Sequence, residues 1–266
     1  MKESKDMSFI EHLEVLRWHL VRASAAIVLA VFIAFVNKDF IFNKLILAPK
    51  SADFFTNKLL SQLADISGMP FFQINNKPFE LINITMSGQF LSHIWISFVV
   101  GLILASPYVI WEIWQFIKPA LHDKERRSAR GAVWIISLLF FVGVLFGYYL
   151  IVPLSINFLS GYTLSSDILN QIKLSSYVSL VSSIVLASGI VFELPMIVFF
   201  FSNLGVLTPT DMKKYRRHAY VVLLIISAII TPPDVFSQIL ICVPLVLLYE
   251  FGILISKRVY KRRLNS

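Results

Sequence analysis

Six long apolar runs, separated by polar segments, limit what this chain can become: residues 20–36, 90–110, 132–154, 177–204, 219–230 and 235–255. A run of about 20 apolar residues matches the hydrocarbon thickness of a bilayer, and in lipid a segment must satisfy its own backbone polar groups, as a helix does. A mean hydropathy of +0.74 excludes a water-soluble domain. The expectation is an all-α integral membrane protein, residues 1–266 forming a single six-helix membrane domain with the last two helices short or tilted.

The fifth run, "AYVVLLIISAII", rises only about 18 Å at ~1.5 Å per residue, so its length alone fits a re-entrant segment. Charge decides the matter. Lys213, Lys214, Arg216 and Arg217 precede this run, and Lys257, Arg258, Lys261, Arg262 and Arg263 follow the sixth. Both clusters share one side only if both segments cross. One face then holds 18 of the 24 basic residues, every arginine among them, and the other holds Lys38, Lys44, Lys50, Lys58, Lys77 and Lys173. The positive-inside rule places both termini in the cytoplasm.

The first run is longer than the apolar region of a secretory signal and lacks a small-x-small cleavage site, so it is read as helix one. No internal repeat of the transporter kind is visible. Pro107, Pro153, Pro195 and Pro244 interrupt the runs and imply kinked helices and a concave molecule. The lone Cys242 excludes an internal disulfide, and the five scattered histidines offer no metal-ligand spacing, so neither metal nor cofactor is expected.

Polar residues inside apolar runs demand a reason. Glu193, in "GIVFELPMIVFFF", would cost about 2.5–3.5 kcal/mol if charged at the bilayer centre. Two readings stand: a protonated acid bonded to a nearby serine or carbonyl, or a polar spot that a partner helix engages. Gln238 lies deep enough to bond across to another helix, Asp234 is placed to cap the last helix after Pro232 and Pro233, and Glu250 is expected either to snorkel or to pair with a neighbouring cation. Trp95, Trp111, Trp114 and Trp134 fall near span ends, as interfacial aromatic belts do. In "FIEHLEVLRWHLVR", Glu11, Glu14 and Arg17 sit at helical spacing in an amphipathic lead-in helix at the interface. Pro119 breaks the loop "WQFIKPALHDKERRSAR", where Glu125 stands among basic residues. With Glu14 or Glu11 it forms an acidic notch suited to a guanidinium, against the alternative of a solvated charge cluster.

At these residues the chain resembles the TatC family, membrane receptors of the twin-arginine protein translocase. "EHLEVLR", "APK", "ASPYVIWEIWQFIKPALHDKERR", "GYYLIVPL", "SSYVSLVSSIVLASGIVFELP", "LTPTDMKKYRRHAYV", "TPPDVFSQ" and "YEFGI" carry the resemblance nearly end to end. It implies a concave, glove-like set of six helices in the bacterial cytoplasmic (inner) membrane. It also implies binding of twin-arginine signal peptides of folded precursors at the cytoplasmic face, and their proton-motive-force-driven export with TatA- and TatB-type single-span partners in an oligomeric complex. No enzymatic activity is implied, and no GxxxxGK[ST] phosphate loop is present.

Carried over by position, the resemblance implies that Glu125, Glu14, Glu11, Arg17, Phe116 and Pro119 serve signal-peptide binding. By the same match, Glu193 and Gln238 form an intramembrane polar patch for partner docking, and Asp234 and Pro49 belong to the outer turns. The chain departs from the family's pattern at Val15, where a second recognition glutamate is usual, and at His19, where an arginine is usual. Its first outer loop is also long. The competing classes are a proton-coupled secondary transporter using Glu193 and an intramembrane enzyme. A missing repeat and the lack of further membrane acids weigh against the first, and the absence of HExxH, GxSxG or paired aspartates against the second.

Overall fold

The computed structural model describes residues 9–67, 79–118, 131–165, 167, 170–230 and 235–264. The longer α-helices among the described residues are α1 Phe9–Val36, α2 Phe55–Ser67, α3 Gly88–Ile117, α4 Ala132–Phe146, α5 Val152–Gly161, α6 Leu174–Val191, α7 Leu194–Leu204, α8 Pro209–Lys214, α9 Arg216–Ile230 and α10 Val235–Leu264. Among the described residues, four helical stretches are long and apolar enough to cross a membrane: Leu13–Val36, Gly88–Ile117, Ala132–Gly161 and Leu174–Leu204.

Neighbouring helices alternate in direction. His93 of α3 meets the end of α1 at the Phe35 carbonyl, while His19 near the start of α1 meets Glu112 near the end of α3. Gly143 of α4 lies against Gly189 of α6, and Gly147 beyond it lies against Ser188 and Ile184. Arg216 of α9 reaches Glu250 of α10, and Gln238 at the other end of α10 reaches Leu224. By contrast α7 and α10 run parallel, with Gly252 against Val198 and the Ser202 hydroxyl donating to Ser256 Oγ at 2.9 Å. Phe9 and Leu264 therefore lie at the same end. Every arginine among the described residues is at that end, and Lys38, Lys44, Lys50, Lys58 and Lys173 are at the other.

Two expectations change. The segment holding Glu11, Glu14 and Arg17 is no separate interfacial helix; it forms the first turns of a continuous 28-residue α1, since nothing in "FIEHLEVLRWHLVRAS" breaks helical geometry. The basic tail after residue 255 continues α10 to Leu264, giving 30 residues in place of a short helix. The described residues of the long first outer loop form secondary structure of their own. They include the 13-residue α2, and their Leu81–Ile82 strand (β1) pairs in parallel with Ile172–Lys173 (β2). Helix α9, at 15 residues, starts earlier than its apolar run and rises about 22 Å, still short of a ~30 Å core.

The prolines explain much of the irregularity. A proline leaves the carbonyl four residues earlier without its helical donor. Pro107 frees Ile103, whose carbonyl takes the Ser106 hydroxyl at 2.7 Å, and α3 stays continuous. Pro153 frees Tyr149, whose carbonyl takes the Thr56 hydroxyl from α2. Around this point the backbone widens into a π-helical stretch, Gly147–Ile151. Pro195 follows a full break at Phe192 and Glu193, which separates α6 from α7.

The outer loop is tied down from below. Tyr148 and Tyr177 donate to the Leu45 and Ile46 carbonyls, both at 2.7 Å. Phe54 stacks on Tyr149, and buried Asn57 donates to the Pro49 and Ser51 carbonyls at 3.1 and 2.7 Å. Helix contacts at the centre depend on small residues. A Cβ on Gly101 would lie 2.6 Å from the Val31 backbone nitrogen, which cannot yield. Gly101→Leu should lower stability by about 2 kcal/mol or more, read as a reduced melting temperature of detergent-purified protein.

Candidate functional site

The arginine-rich end of the molecule is built on the crossing of α1 and α3. Glu112, one turn from the end of α3, is buried, its side chain only 2% exposed. A carboxylate there survives only if its oxygens are bonded. Tyr108, one turn earlier on the same helix, donates its hydroxyl to Oε1 at 2.7 Å. From α1, His19 Nδ1 lies 2.5 Å from Oε2, and Arg22 Nε lies 3.4 Å from Oε1. His19 and Arg22 are three apart and so share a helical face. The His19 ring also meets Phe116 edge-on, 6.2 Å between centroids.

The proton on His19 follows from the carboxylate. An ionised carboxylate only accepts, so Nδ1 carries hydrogen and donates it. Arg22 Nη2 then faces, at 3.2 Å, a ring nitrogen with no lone pair to offer. Arg22 is held on Glu112 by one long contact and is half exposed, at 51%. Sequence reasoning missed Glu112. The signal was Tyr108 and Glu112 at i, i+4 where an apolar run ends; its partner on α1 lies 93 residues away.

The residues expected to serve a peptide site divide unevenly. Glu14 and Arg17 are exposed on α1, 3.6 Å apart, a contact that contributes little in water, and Arg17 also covers the Trp18 ring at 5.6 Å. Glu11 belongs to the first turn of α1, and its side chain lies outside the described residues, as do Glu125, Pro119 and Asp234. Phe116 joins the Glu112 cluster through His19. Pro49 is buried at the opposite end of the molecule, its carbonyl accepting from Asn57.

Glu193 occupies the break between α6 and α7. Both its carboxylate oxygens are buried, with no hydrogen-bond partner among the described residues. Gln238 donates to the Leu224 carbonyl of α9 at 3.2 Å, a bond between helices. The two are not brought together. Val198 lies beside Gly252 and Ser202 beside Ser256, an offset that sets Glu193 level with about residue 247, roughly two and a half turns and ~13 Å from Gln238. Glu250 takes Arg216 Nη2 at 2.8 Å and the Tyr220 hydroxyl at 2.6 Å, so of its two expected outcomes it is the cation pairing that occurs. A tyrosine and an arginine thus hold a glutamate at two places on the same end.

A helical array of this kind, with strongly apolar helices and its arginines gathered at one end, defines a multi-pass membrane protein. The family described as Sec-independent protein translocase protein (TatC) matches residues 11–244. The Sec-independent protein translocase protein TatC of Blattabacterium sp. subsp. Periplaneta americana is 39% identical over 264 residues, 98% of this chain and 99% of that protein. TatC of Listeria innocua is 33% identical over 252 residues, 94% of this chain and 91% of its own. A crystal structure of the twin arginine translocase receptor TatC superposes with a TM-score of 0.70 at 31% identity, covering 94% of this chain and 99% of that one. The chain belongs to the TatC family.

The buried cluster makes a stability prediction. His19→Ala leaves Oε2 of a buried carboxylate unpaired and should cost about 2–3 kcal/mol, whereas in a Glu112→Leu background the same change should cost under about 1 kcal/mol. Thermal melting of the four proteins in detergent measures the difference.

Proposed function

We propose that this chain is the receptor subunit of a twin-arginine protein translocase in a bacterial cytoplasmic membrane. In this reading it crosses six times, near residues 20–36, 90–110, 132–154, 177–204, 219–230 and 235–255, with both termini in the cytoplasm. What carries the proposal is a likeness over 94% of the chain to a protein named as the twin-arginine translocase receptor. The arginine-rich end of the helical array supports the orientation, because basic residues are retained on the cytoplasmic side.

Twin-arginine signal peptides of folded precursors bind at this end. Glu125 is the principal contact, with Glu14 and Glu11 supplying the second carboxylate that Val15 cannot, and with Arg17, Phe116 and Pro119 shaping the surface. Arginine's planar fork bonds a carboxylate at two points and lysine's ammonium does not, so such a site selects paired arginines. Each charged hydrogen bond contributes about 1.5–3 kcal/mol, and the apolar segment of the signal supplies the rest. The chain performs no catalysis; TatA- and TatB-type single-span partners join it in an oligomer to move the cargo, driven by the proton-motive force. Glu193 docks a polar residue of a partner helix, and its unpartnered oxygens suit that role. Gln238 engages the partner nearer the outer side, and Pro49 and Asp234 shape the outer turns. Short α9 thins the bilayer locally.

Photo-crosslinking from the Glu125 loop tests the receptor role. A precursor with twin arginine should crosslink and its twin-lysine counterpart should not, and Glu125→Gln should weaken the arginine crosslink about tenfold or more. Equal crosslinking of both precursors would refute the reading. For Glu193→Ala, the expected result is loss of crosslinking to the partner's transmembrane helix with signal-peptide binding retained; unchanged partner crosslinking and transport would make Glu193 structural.

A further inference from the structure

We infer that Glu112 is a second guanidinium-binding carboxylate of this chain, and that Arg22 occupies it as an internal stand-in which the arginine of an incoming peptide displaces. The inference rests on the receptor reading above. It begins with an imbalance within the cluster. Two partners of Glu112 are well placed: the Tyr108 hydroxyl at 2.7 Å on Oε1 and His19 Nδ1 at 2.5 Å on Oε2. The third is not.

Arg22 offers Nε to Oε1 at 3.4 Å, beyond the usual length of a charged hydrogen bond, and aims Nη2 at a histidine nitrogen that is itself a donor. A guanidinium prefers two parallel bonds to one carboxylate, and Arg22, fixed to α1 three residues from His19, makes only one. It is the solvent-facing partner, 51% exposed where the carboxylate it covers is 2% exposed and His19 15%. Its departure opens Glu112 toward the end of the molecule that carries Glu14, Arg17 and Phe116.

An arginine from an extended peptide carries no such tether. It can approach Oε1 with its fork in plane, while Tyr108 and His19 hold the carboxylate in position. A lysine reaching the same place would bring a single point of contact and a more strongly hydrated charge, with less advantage over Arg22. The site also suits the departures in this sequence. Val15 supplies no carboxylate on α1, and the buried Glu112, reached through His19, supplies one from the adjoining helix.

The test is binding of a fluorescent twin-arginine signal peptide to the full chain in detergent, read by anisotropy, with a twin-lysine peptide in parallel. Arg22→Ala and charge-preserving Arg22→Lys should each tighten twin-arginine binding about threefold to tenfold, with a smaller gain for twin lysine. Lys118→Ala, which removes a charge at the same end, should give no arginine-selective gain. Glu112→Gln should weaken twin-arginine binding about tenfold and abolish the gain from Arg22→Lys. If the wild type binds both peptides equally, the receptor reading fails and the inference falls with it. If the wild type discriminates but neither Arg22 variant gains, the inference alone is overturned. The Arg22 variants alter a half-exposed side chain and decide the question even if Glu112→Gln fails to fold.

Discussion

Within a bilayer no water is at hand to bond a stray carbonyl or carboxylate, and the structure is organised by that shortage. Two of the prolines inside the helices have a remedy close by. Ser106 takes the carbonyl that Pro107 frees, and Thr56 reaches in from the outer loop to take the one that Pro153 frees. The second remedy has a wider effect, because it fixes α2, and with it the outer loop, to the end of the third membrane stretch. Tyr148 and Tyr177 extend the same logic by donating to the Leu45 and Ile46 carbonyls. Hydrogen bonds to backbone carbonyls thus join apolar packing in holding the outer cap.

The three glutamates within or beside the apolar helices answer the shortage differently. Glu112 and Glu250 each take a tyrosine hydroxyl and an arginine at the arginine-rich end, where water is near and a charge is tolerable. Glu193 stands at the break between α6 and α7, and neither buried oxygen has a partner among the described residues. A polar group left unsatisfied in such a place is costly and is rare in native structures. The contrast distinguishes the paired carboxylates at the end, which fasten helices together, from the one in the interior, whose oxygens no described residue bonds.

Much of this was legible in the sequence, and for a physical reason. Lipid imposes a long-wavelength pattern, so apolar runs and the placement of lysine and arginine report helices and their alternation without knowledge of packing. Glu193 and Gln238 stood out because a polar side chain in an apolar run is conspicuous by itself. Glu112 did not: it lies close to a loop rich in charge, and its partners are Tyr108 on the same helix and His19 across 93 residues. The substitution at His19 gave notice that the α1 surface differed from the family's pattern, but not what the histidine touched.

The sequence by itself determined the helical class, the apolar stretches, the gathering of basic residues and, through its motifs, the family. Those properties depend on each segment's transfer between water and lipid, which is local and nearly additive along the chain. The tertiary structure decided which side chains meet: His19 and Arg22 on Glu112, Thr56 on Tyr149, Arg216 and Tyr220 on Glu250, and Glu193 apart from Gln238. Those depend on the relative rotation and offset of neighbouring helices, set by close contacts such as Gly101 on Val31 and Gly143 on Ser188. A rotation of one residue, about 100°, would carry any of these side chains to another face, and no local pattern in the chain encodes that angle.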